Sequence, residues 1–224
     1  MSLPSLYKYL SKPEYADSFI RGELRFNSLA YFRDYEADEG VRADALEGTR
    51  IYRPEGGLRG NNLTTGEKFL LADTAFTSSA NHESIFVLCL STELSIQIAQ
   101  RFSATVCVEI KDPGAFLASV RSHLQLRKSV DPCFHHGKVN YYDAAVAPII
   151  DWALPEIVAR SKSNSFEWQQ EYRIAFAEAG AFRIENVQLS LQTKFMPFPQ
   201  AKNHTLRKIR IGSIRRFCRL HRLL

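Results

Sequence analysis

One stretch of the chain places a glutamate and an arginine among aromatic residues at strand-like spacing. It reads F-E-W-Q-Q-E-Y-R-I-A-F over residues 166–176. With a period of two, Trp168 and Tyr172 share one face. Glu171 and Arg173 share the other. Aromatic and β-branched residues favour a pleated, half-buried surface, so we predict a strand over the second half of this stretch.

The side chain of Glu171 then points into water or into a cleft. A carboxylate held between aromatic residues at the start of a central strand has few rotamers, and apolar neighbours can raise its pKa. Such a group is well placed to act on a substrate. The spacing alone favours a plainer alternative, in which Glu171 and Arg173 form an exposed cross-strand pair worth less than about 1 kcal/mol.

Several common chemistries lack their sequence motifs. The chain contains no GxxxxGK[ST], GxGxxG, GxSxG or HExxH, which disfavours phosphate-loop NTPases, dinucleotide dehydrogenases, serine hydrolases and zincins. The four cysteines form no CxxC pair, so zinc or iron–sulfur ligation is not expected. His135 and His136 are adjacent and point in different directions, so we interpret them as a loop feature and expect no metal site.

Basic residues are concentrated at the C-terminus of a chain whose net charge is +5. We predict a strand over residues 205–212, followed by a short amphipathic helix that Ser213 caps, with its arginines facing outward. This asymmetry indicates a polyanionic partner, and the alternative is a solvated basic helix face. The residues predicted to contact nucleic acid are Arg215, Arg216, Arg219 and Arg222.

The remaining pattern predicts more strands than long helices, without strict alternation. Further strands are expected near residues 6–10, 24–29, 84–91, 104–110 and 139–143, and helices near 14–21, 94–102, 113–125 and 145–161. This order favours the α+β class, with mixed or antiparallel central sheets and flanking helices. A chain of 224 residues suits a single domain over residues 1–224. No apolar run approaches the ~20 residues that cross a bilayer, and no signal-peptide layout is present, so we expect a cytoplasmic protein.

Three motifs together carry a resemblance. They are YKYL at residues 7–10, the run 24–28 followed by YFRD at 31–34, and WQQEYR at 168–173. In this order they resemble a large, poorly characterised bacterial and phage-associated family known only as a domain of unknown function.

The same layout is similar to the ADP-ribosyltransferase superfamily, and that similarity implies a split central sheet and NAD as cofactor. Position by position, it implies that Tyr7 or Lys8 contacts NAD and that Ser28 or Tyr31 supports the nicotinamide. It also implies that Glu171 drives the transfer, with Gln169 before it at the superfamily's Gln-x-Glu spacing. Arg33 or Lys8 would hold the pyrophosphate, and aromatic residues including Trp168 would stack on the ring.

The function that this resemblance implies is transfer of ADP-ribose from NAD to a nucleic acid or protein acceptor, by a toxin or phage-defence effector. An antitoxin or regulatory partner would accompany it. A second hypothesis is a nuclease that uses a divalent metal and the acidic residues Asp34, Glu36, Asp44 and Glu47. A third is a non-catalytic module whose basic C-terminus binds nucleic acid or a phage protein.

Overall fold

Strands outnumber helices in the computed structural model, which describes residues 3–34, 44–192 and 205–223. The strands are β1 (Leu6–Leu10), β2 (Glu23–Ser28), β3 (Thr49–Tyr52), β4 (Leu58–Asn61), β5 (Lys68–Leu71), β6 (Ala75–Ser79), β7 (Ile85–Ser91), β8 (Val106–Ile110), β9 (Val130–Lys138), β10 (Asn140–Tyr142), β11 (Ser161–Ser163), β12 (Glu171–Glu178), β13 (Gln188–Gln192), β14 (Leu206–Arg210) and β15 (Cys218–Arg222). The helices are α1 (Pro13–Ile20), α2 (Leu29–Asp34), α3 (Ile96–Arg101), α4 (Pro113–Gln125) and α5 (Pro155–Val158), with 3₁₀ turns at Asn164–Gln169, Ile184–Asn186 and Arg215–Phe217. The α+β class is therefore confirmed.

The central sheet, which holds eight of the described strands, divides along β7. On one side of β7, one branch of the sheet runs through β1 and β8 to β15, and another runs through β2 to β14. On the opposite side, β12 pairs with β7, and β9 pairs with β12. The β12 strand pairs with the full length of β7, from Ser91 to Ile85. On the other side, β2 pairs only near Val87 and β1 only at Ser91. The β1 and β2 strands therefore diverge from β7 and leave a fork over its middle residues.

The two faces of this sheet differ in character. On one face, α1 and α4 pack on an apolar core that includes Phe26, Leu88 and Ile174. On the other face, a smaller apolar cluster around Val87 and Ala175 packs beneath α2 and α5. Because side chains alternate along a strand, Glu171 and Arg173 of β12 lie on this second face, and the polar groups of the fork gather there.

The β1–α1–β2 unit that forms the fork follows the sequence closely. Pro13 begins α1, where its missing N–H costs nothing, and Gly22 follows the last turn with φ +86°. A Cβ on Gly22 would lie 1.8 Å from the main-chain oxygen of Gly212. Glycine is therefore required for both the positive φ and the close approach of the segment that follows β14.

Three predicted elements are wrong. Residues 145–161 form turns and only the short helix α5, since prolines interrupt the helical pattern there. His135 and His136 lie within β9 and not in a loop. Ser213 begins no amphipathic helix: after one 3₁₀ turn the chain forms β15, which pairs with the edge of β8. Pairing with that edge outweighs the local helical pattern. None of the helices in the described part of the chain is long and apolar enough to span a membrane.

Candidate functional site

A cleft opens over the fork between β1 and β2. Its empty volume is about 860 Å³, a figure that includes the open mouth. Aromatic rings supply much of its wall, namely Tyr7, Tyr9, Tyr31, Phe32 and Phe102. Its polar groups are Lys8, Arg25, Asn27, Cys89, Ser91, Lys162, Gln169 and Glu171. The cleft thus combines aromatic surface, cations and one carboxylate.

Four of the residues that the sequence singled out meet in this cleft. Tyr7 and Lys8 come from β1, Tyr31 comes from α2, and Glu171 is the first residue of β12. They converge because β7 separates β1 from β12 at the level of Ser91, which pairs with Tyr7 on one side and with Glu171 on the other. Gln169 also lines the cleft.

Three others lie outside the residues that line it. Ser28 is fully buried, and its Oγ accepts a hydrogen bond from the Tyr31 main-chain N–H at 3.3 Å. Ser28 therefore stabilises the start of α2 and helps to position Tyr31. Arg33 is only 8% exposed, and its guanidinium donates to the Glu47 main-chain oxygen at 2.6 Å and to Thr49 Oγ1 at 3.1 Å. It ties α2 to β3.

Trp168 lies on the far side of the cleft wall. Its ring centroid is 5.1 Å from that of Phe102, which lines the cleft, and Trp168 itself lines a separate groove. The period-two prediction fails here because Asn164–Gln169 is a 3₁₀ turn and Gln170 is left-handed, with φ +44°. Trp168 and Tyr172 therefore share no strand face.

Glu171 belongs to a buried quartet of charges. Arg173 is fully buried and donates from Nε to Glu171 Oε1 at 2.7 Å and from Nη2 to Glu47 Oε2 at 2.8 Å. Lys162 Nζ lies 2.9 Å from Glu171 Oε2 and donates to Gln169 Oε1 at 2.9 Å. Two carboxylates and two cations thus neutralise one another, and the exposed Glu-x-Arg pair considered above is not what forms.

The quartet sets the ionisation of Glu171. Burial opposes its charge, but Arg173 and Lys162 outweigh that cost and hold the pKa of Glu171 below its usual range. The prediction of a raised pKa is therefore wrong, because the neighbours are cations and not only apolar groups. Glu171 Oε2 is buried and forms an ion pair with Lys162, and the Cys89 thiol also hydrogen-bonds to the Glu171 carboxylate. The ionised carboxylate of Glu171 thus forms part of the wall of the cleft.

Lys8 and Cys89 meet in the fork itself. Lys8 Nζ donates to the Cys89 main-chain oxygen at 2.8 Å, in the part of β7 that neither β1 nor β2 reaches. The Cys89 side chain lines the cleft, and burial, together with the charge of Glu171, raises its pKa to about 12. Cys89 is consequently a neutral thiol at physiological pH and a poor nucleophile.

The acidic residues of the nuclease hypothesis have other surroundings. Glu47 belongs to the quartet, and Asp44 is buried with its Oδ1 accepting from the Leu46 main-chain N–H at 2.9 Å. The Asp34 side chain and Glu36 lie outside the described residues. Within the described part of the chain, no group of three or more His, Cys, Asp and Glu side chains is arranged to hold a metal ion.

The four C-terminal arginines lie outside the cleft. Arg215 and Arg216 are on the 3₁₀ turn, Arg219 and Arg222 are on β15, and the side chains of all four are exposed. The histidines of β9 face opposite sides of the sheet, as their adjacency requires. His136 Nδ1 lies 2.7 Å from the Tyr172 hydroxyl, and the His135 ring packs on Phe182.

Arg25, Asn27 and Lys162 escaped the sequence-based prediction, and Glu47 was predicted only as an acidic residue of the nuclease hypothesis. The first two lie on the face of β2 opposite Leu24 and Phe26, and the alternation of that strand could have identified them. Lys162 and Glu47 carry no local signal, since each depends on an ion pair with a distant residue.

Comparison of the chain with family models, with curated proteins and with solved structures finds no match in any of the three.

Proposed function

We propose that the cleft binds NAD and that the protein transfers ADP-ribose to an acceptor. The observation that carries this proposal is the convergence of Tyr7, Lys8, Tyr31 and Glu171 on one cleft. The fork along β7, which opens the sheet beneath that cleft, supports an ADP-ribosyltransferase-like split sheet. An aromatic and cationic cleft with a single ionised carboxylate suits a dinucleotide better than it suits an apolar ligand.

Each part of NAD has a counterpart among the residues of the cleft. The nicotinamide ring stacks on Tyr7 and Tyr31, which line the wall together with other aromatic rings. Lys8 and Arg25 bind the pyrophosphate, with the exposed Arg25 taking the role that the sequence suggested for Arg33. The ionised carboxylate of Glu171, which lines the cleft, accepts a hydrogen bond from a hydroxyl of the nicotinamide ribose.

Glu171 acts in this reaction as an ionised acceptor and not as a general base, because its pKa lies below the usual range. The bond between C1′ of the ribose and the nicotinamide nitrogen breaks, and its electron pair leaves with neutral nicotinamide. An acceptor lone pair then forms the new bond to C1′, and the acceptor's proton goes to solvent. Fixed negative charge near the ribose stabilises the oxocarbenium-like state between these two events.

The test is a thermal shift with NAD, followed by an assay of nicotinamide release. Ligand at 100 times its dissociation constant stabilises the folded state by about 2.7 kcal/mol, which is several degrees in a domain of this size at roughly 2–4 °C per kcal/mol. We expect a shift with NAD, none with ATP at the same concentration, and a smaller one in Arg25→Gln. Absence of a shift at millimolar NAD overturns the proposal.

A second candidate function is nucleic-acid binding without catalysis. The observation that favours it is the exposure of all four C-terminal arginines away from the cleft. It predicts binding that survives Glu171→Gln and is lost with the arginines. The metal-dependent nuclease remains a hypothesis that no described residue favours.

A further inference from the structure

A second groove lies directly behind the wall of the cleft. Its empty volume is about 800 Å³ including the open mouth, and it runs between the start of α3 and the end of the 3₁₀ turn before β12. On the α3 side, Gln97, Gln100 and Arg101 are exposed and lie three and four residues apart, so they share one helix face. Trp168 and Gln170 line the opposite side.

The partition between cleft and groove is made of aromatic rings in contact. Tyr9 and Phe102 line the cleft with their centroids 6.1 Å apart, and Trp168 lines the groove with its centroid 5.1 Å from that of Phe102. The Tyr9 hydroxyl also donates to the Glu93 main-chain oxygen at 2.9 Å and accepts from the Ser95 main-chain N–H at 2.7 Å. Tyr9 thus lines the cleft and also hydrogen-bonds to the backbone of Glu93 and Ser95, which line the groove.

Gln170 reaches the groove only through a strained backbone. It is a left-handed residue with φ +44° and ψ +48°, a conformation that costs a residue other than glycine about 1 kcal/mol. Its main-chain oxygen accepts from the Thr92 N–H at 2.8 Å and from Thr92 Oγ1 at 3.2 Å. Its side-chain Nε2 donates to the Glu167 main-chain oxygen at 3.0 Å, which leaves the amide oxygen as an acceptor. This reversal separates Gln169, which faces the cleft, from Gln170, which faces the groove.

We propose that the groove binds an unpaired base of a single-stranded nucleic acid. Arg101 lies over the Trp168 ring at 4.7 Å, and a guanidinium stacked on an indole is a platform on which a base can stack. The amides of Gln97, Gln100 and Gln170 supply the donors and acceptors that recognise base edges. Glu93 and Arg101 cancel in charge, so the groove suits a neutral base, and the net charge of +5 attracts the strand that carries it.

This inference deepens the proposed function, on which it rests only in making the bound strand the acceptor of ADP-ribose. Because the ring partition separates the base in the groove from the cleft, a neighbouring nucleotide of the strand is the one that reaches the ribose. Base binding itself needs no NAD. Because one layer of aromatic rings separates the groove from the cleft, the strand and NAD can bind at the same time. A strand bound there lies beside the cleft wall without occupying the site of the dinucleotide.

The test measures binding of a fluorescein-labelled ten-nucleotide strand by anisotropy, in DNA and RNA arms and without NAD. Gln97→Ala/Gln100→Ala and Trp168→Leu are the variants, and Gln125→Ala/Gln188→Ala is the matched control, since both of its glutamines are exposed and far from the groove. Loss of stacking on one base weakens binding by about tenfold or more. We expect that loss in Trp168→Leu. We also expect weaker binding in Gln97→Ala/Gln100→Ala, because hydrogen bonds to the base edge are lost, and no change in the control.

Tryptophan fluorescence supplies a second readout. The chain has two tryptophans, and Trp152 is buried whereas Trp168 is half-buried. A stacked base therefore quenches mainly Trp168, and we expect the single strand to quench it while a duplex of the same sequence does not. This quenching should disappear in Trp168→Leu and persist when the four C-terminal arginines are replaced.

The outcomes separate this inference from the proposed function. An NAD thermal shift without strand binding contradicts base binding in the groove but is consistent with NAD binding in the cleft. Strand binding and quenching without an NAD shift support the groove and remove the transfer reaction. Equal strand affinity in the groove variants and the control overturns the inference, as does binding of an acidic peptide in the groove in place of the strand.

Discussion

Lys8 donates from its ammonium group to the main-chain oxygen of Cys89 at 2.8 Å and so joins β1 to β7 across the fork. The β1 strand pairs with β7 only at Tyr7, and a side chain therefore supplies the hydrogen bond that the next ladder position would have made. One lysine holds the fork and also lines the cleft. Its removal should affect both folding and ligand binding.

We predict that Lys8→Met lowers the free energy of unfolding by about 1–3 kcal/mol, because the Cys89 carbonyl loses its charged donor. Affinity for NAD should also fall by at least about tenfold, as expected when a charged hydrogen bond to a phosphate is lost. Urea unfolding and calorimetric titration measure the two effects. Lys68→Met is the control, since Lys68 is an exposed strand residue far from the cleft. Unchanged affinity in Lys8→Met would remove Lys8 from the site.

A second prediction separates the two carboxylates of the quartet. Glu171→Gln and Glu47→Gln each deprive a fully buried arginine of a partner, so both variants should lose about 3–5 kcal/mol of stability. Only Glu171 lines the cleft. Glu171→Gln should therefore abolish nicotinamide release, whereas Glu47→Gln should retain it in proportion to its folded fraction.

Activity must be measured where circular dichroism shows both variants to be folded. A Glu171→Gln protein that is folded and as active as Glu47→Gln would show that the carboxylate is purely structural. The matched pair is needed because the quartet makes any substitution of Glu171 costly to the fold.

Short-range patterns in the sequence predicted the framework of this fold. Helix α4 begins and ends as expected at Pro113 and Gln125, and β1, β2, β7 and β8 lie within a residue or two of their predicted bounds. The hydrophobic period determines these elements locally, and Pro113 marks the start of α4 as Gly22 marks the start of β2. The convergence of Lys8 and Glu171 could also be anticipated, since each lies on a predicted core strand.

Long-range pairing accounts for what could not be predicted. Glu47 and Arg173 are separated by 126 residues, and no local pattern indicates that they meet. The left-handed Gln170 reverses the face of Trp168 without a glycine to mark the turn. The β15 strand forms because β8 offers it an edge, although its own residues also fit a helix. Each of these features depends on a partner that only the folded chain brings near.

The raised pKa of Asp44 should be visible in the pH dependence of the free energy of unfolding. Burial and the nearby charge of Glu47 raise the pKa of Asp44 from 3.8 to about 6. A carboxyl whose pKa is higher in the folded state stabilises the protein fully below its unfolded value, and this contribution is lost as the pH rises through about 6. Asp44→Asn mimics the protonated form and keeps the oxygen that accepts from Leu46.

Asp44→Asn should therefore exceed the wild type in unfolding free energy by about 2–3 kcal/mol at pH 8, at 1.36 kcal/mol per unit of pKa, and should match it near pH 4. Urea titrations at both pH values measure the difference. Asp143→Asn is the control, because Asp143 makes the same turn, accepting from the Ala145 N–H at 2.9 Å, but is exposed. Equal stability of wild type and Asp44→Asn at both pH values would contradict the prediction.

The last prediction concerns Arg215, Arg216, Arg219 and Arg222. All four are exposed, so their replacement by glutamine should leave the fold intact. Each phosphate contact that is lost should reduce the slope of log K against log salt by about 0.7–0.9. The control replaces Arg21, Arg59, Lys68 and Arg183 by glutamine, all exposed and elsewhere on the chain, and removes the same charge. A reduced slope in the first variant alone places the phosphate contacts on β15 and the turn before it, whereas equal slopes in both variants would show that only net charge matters.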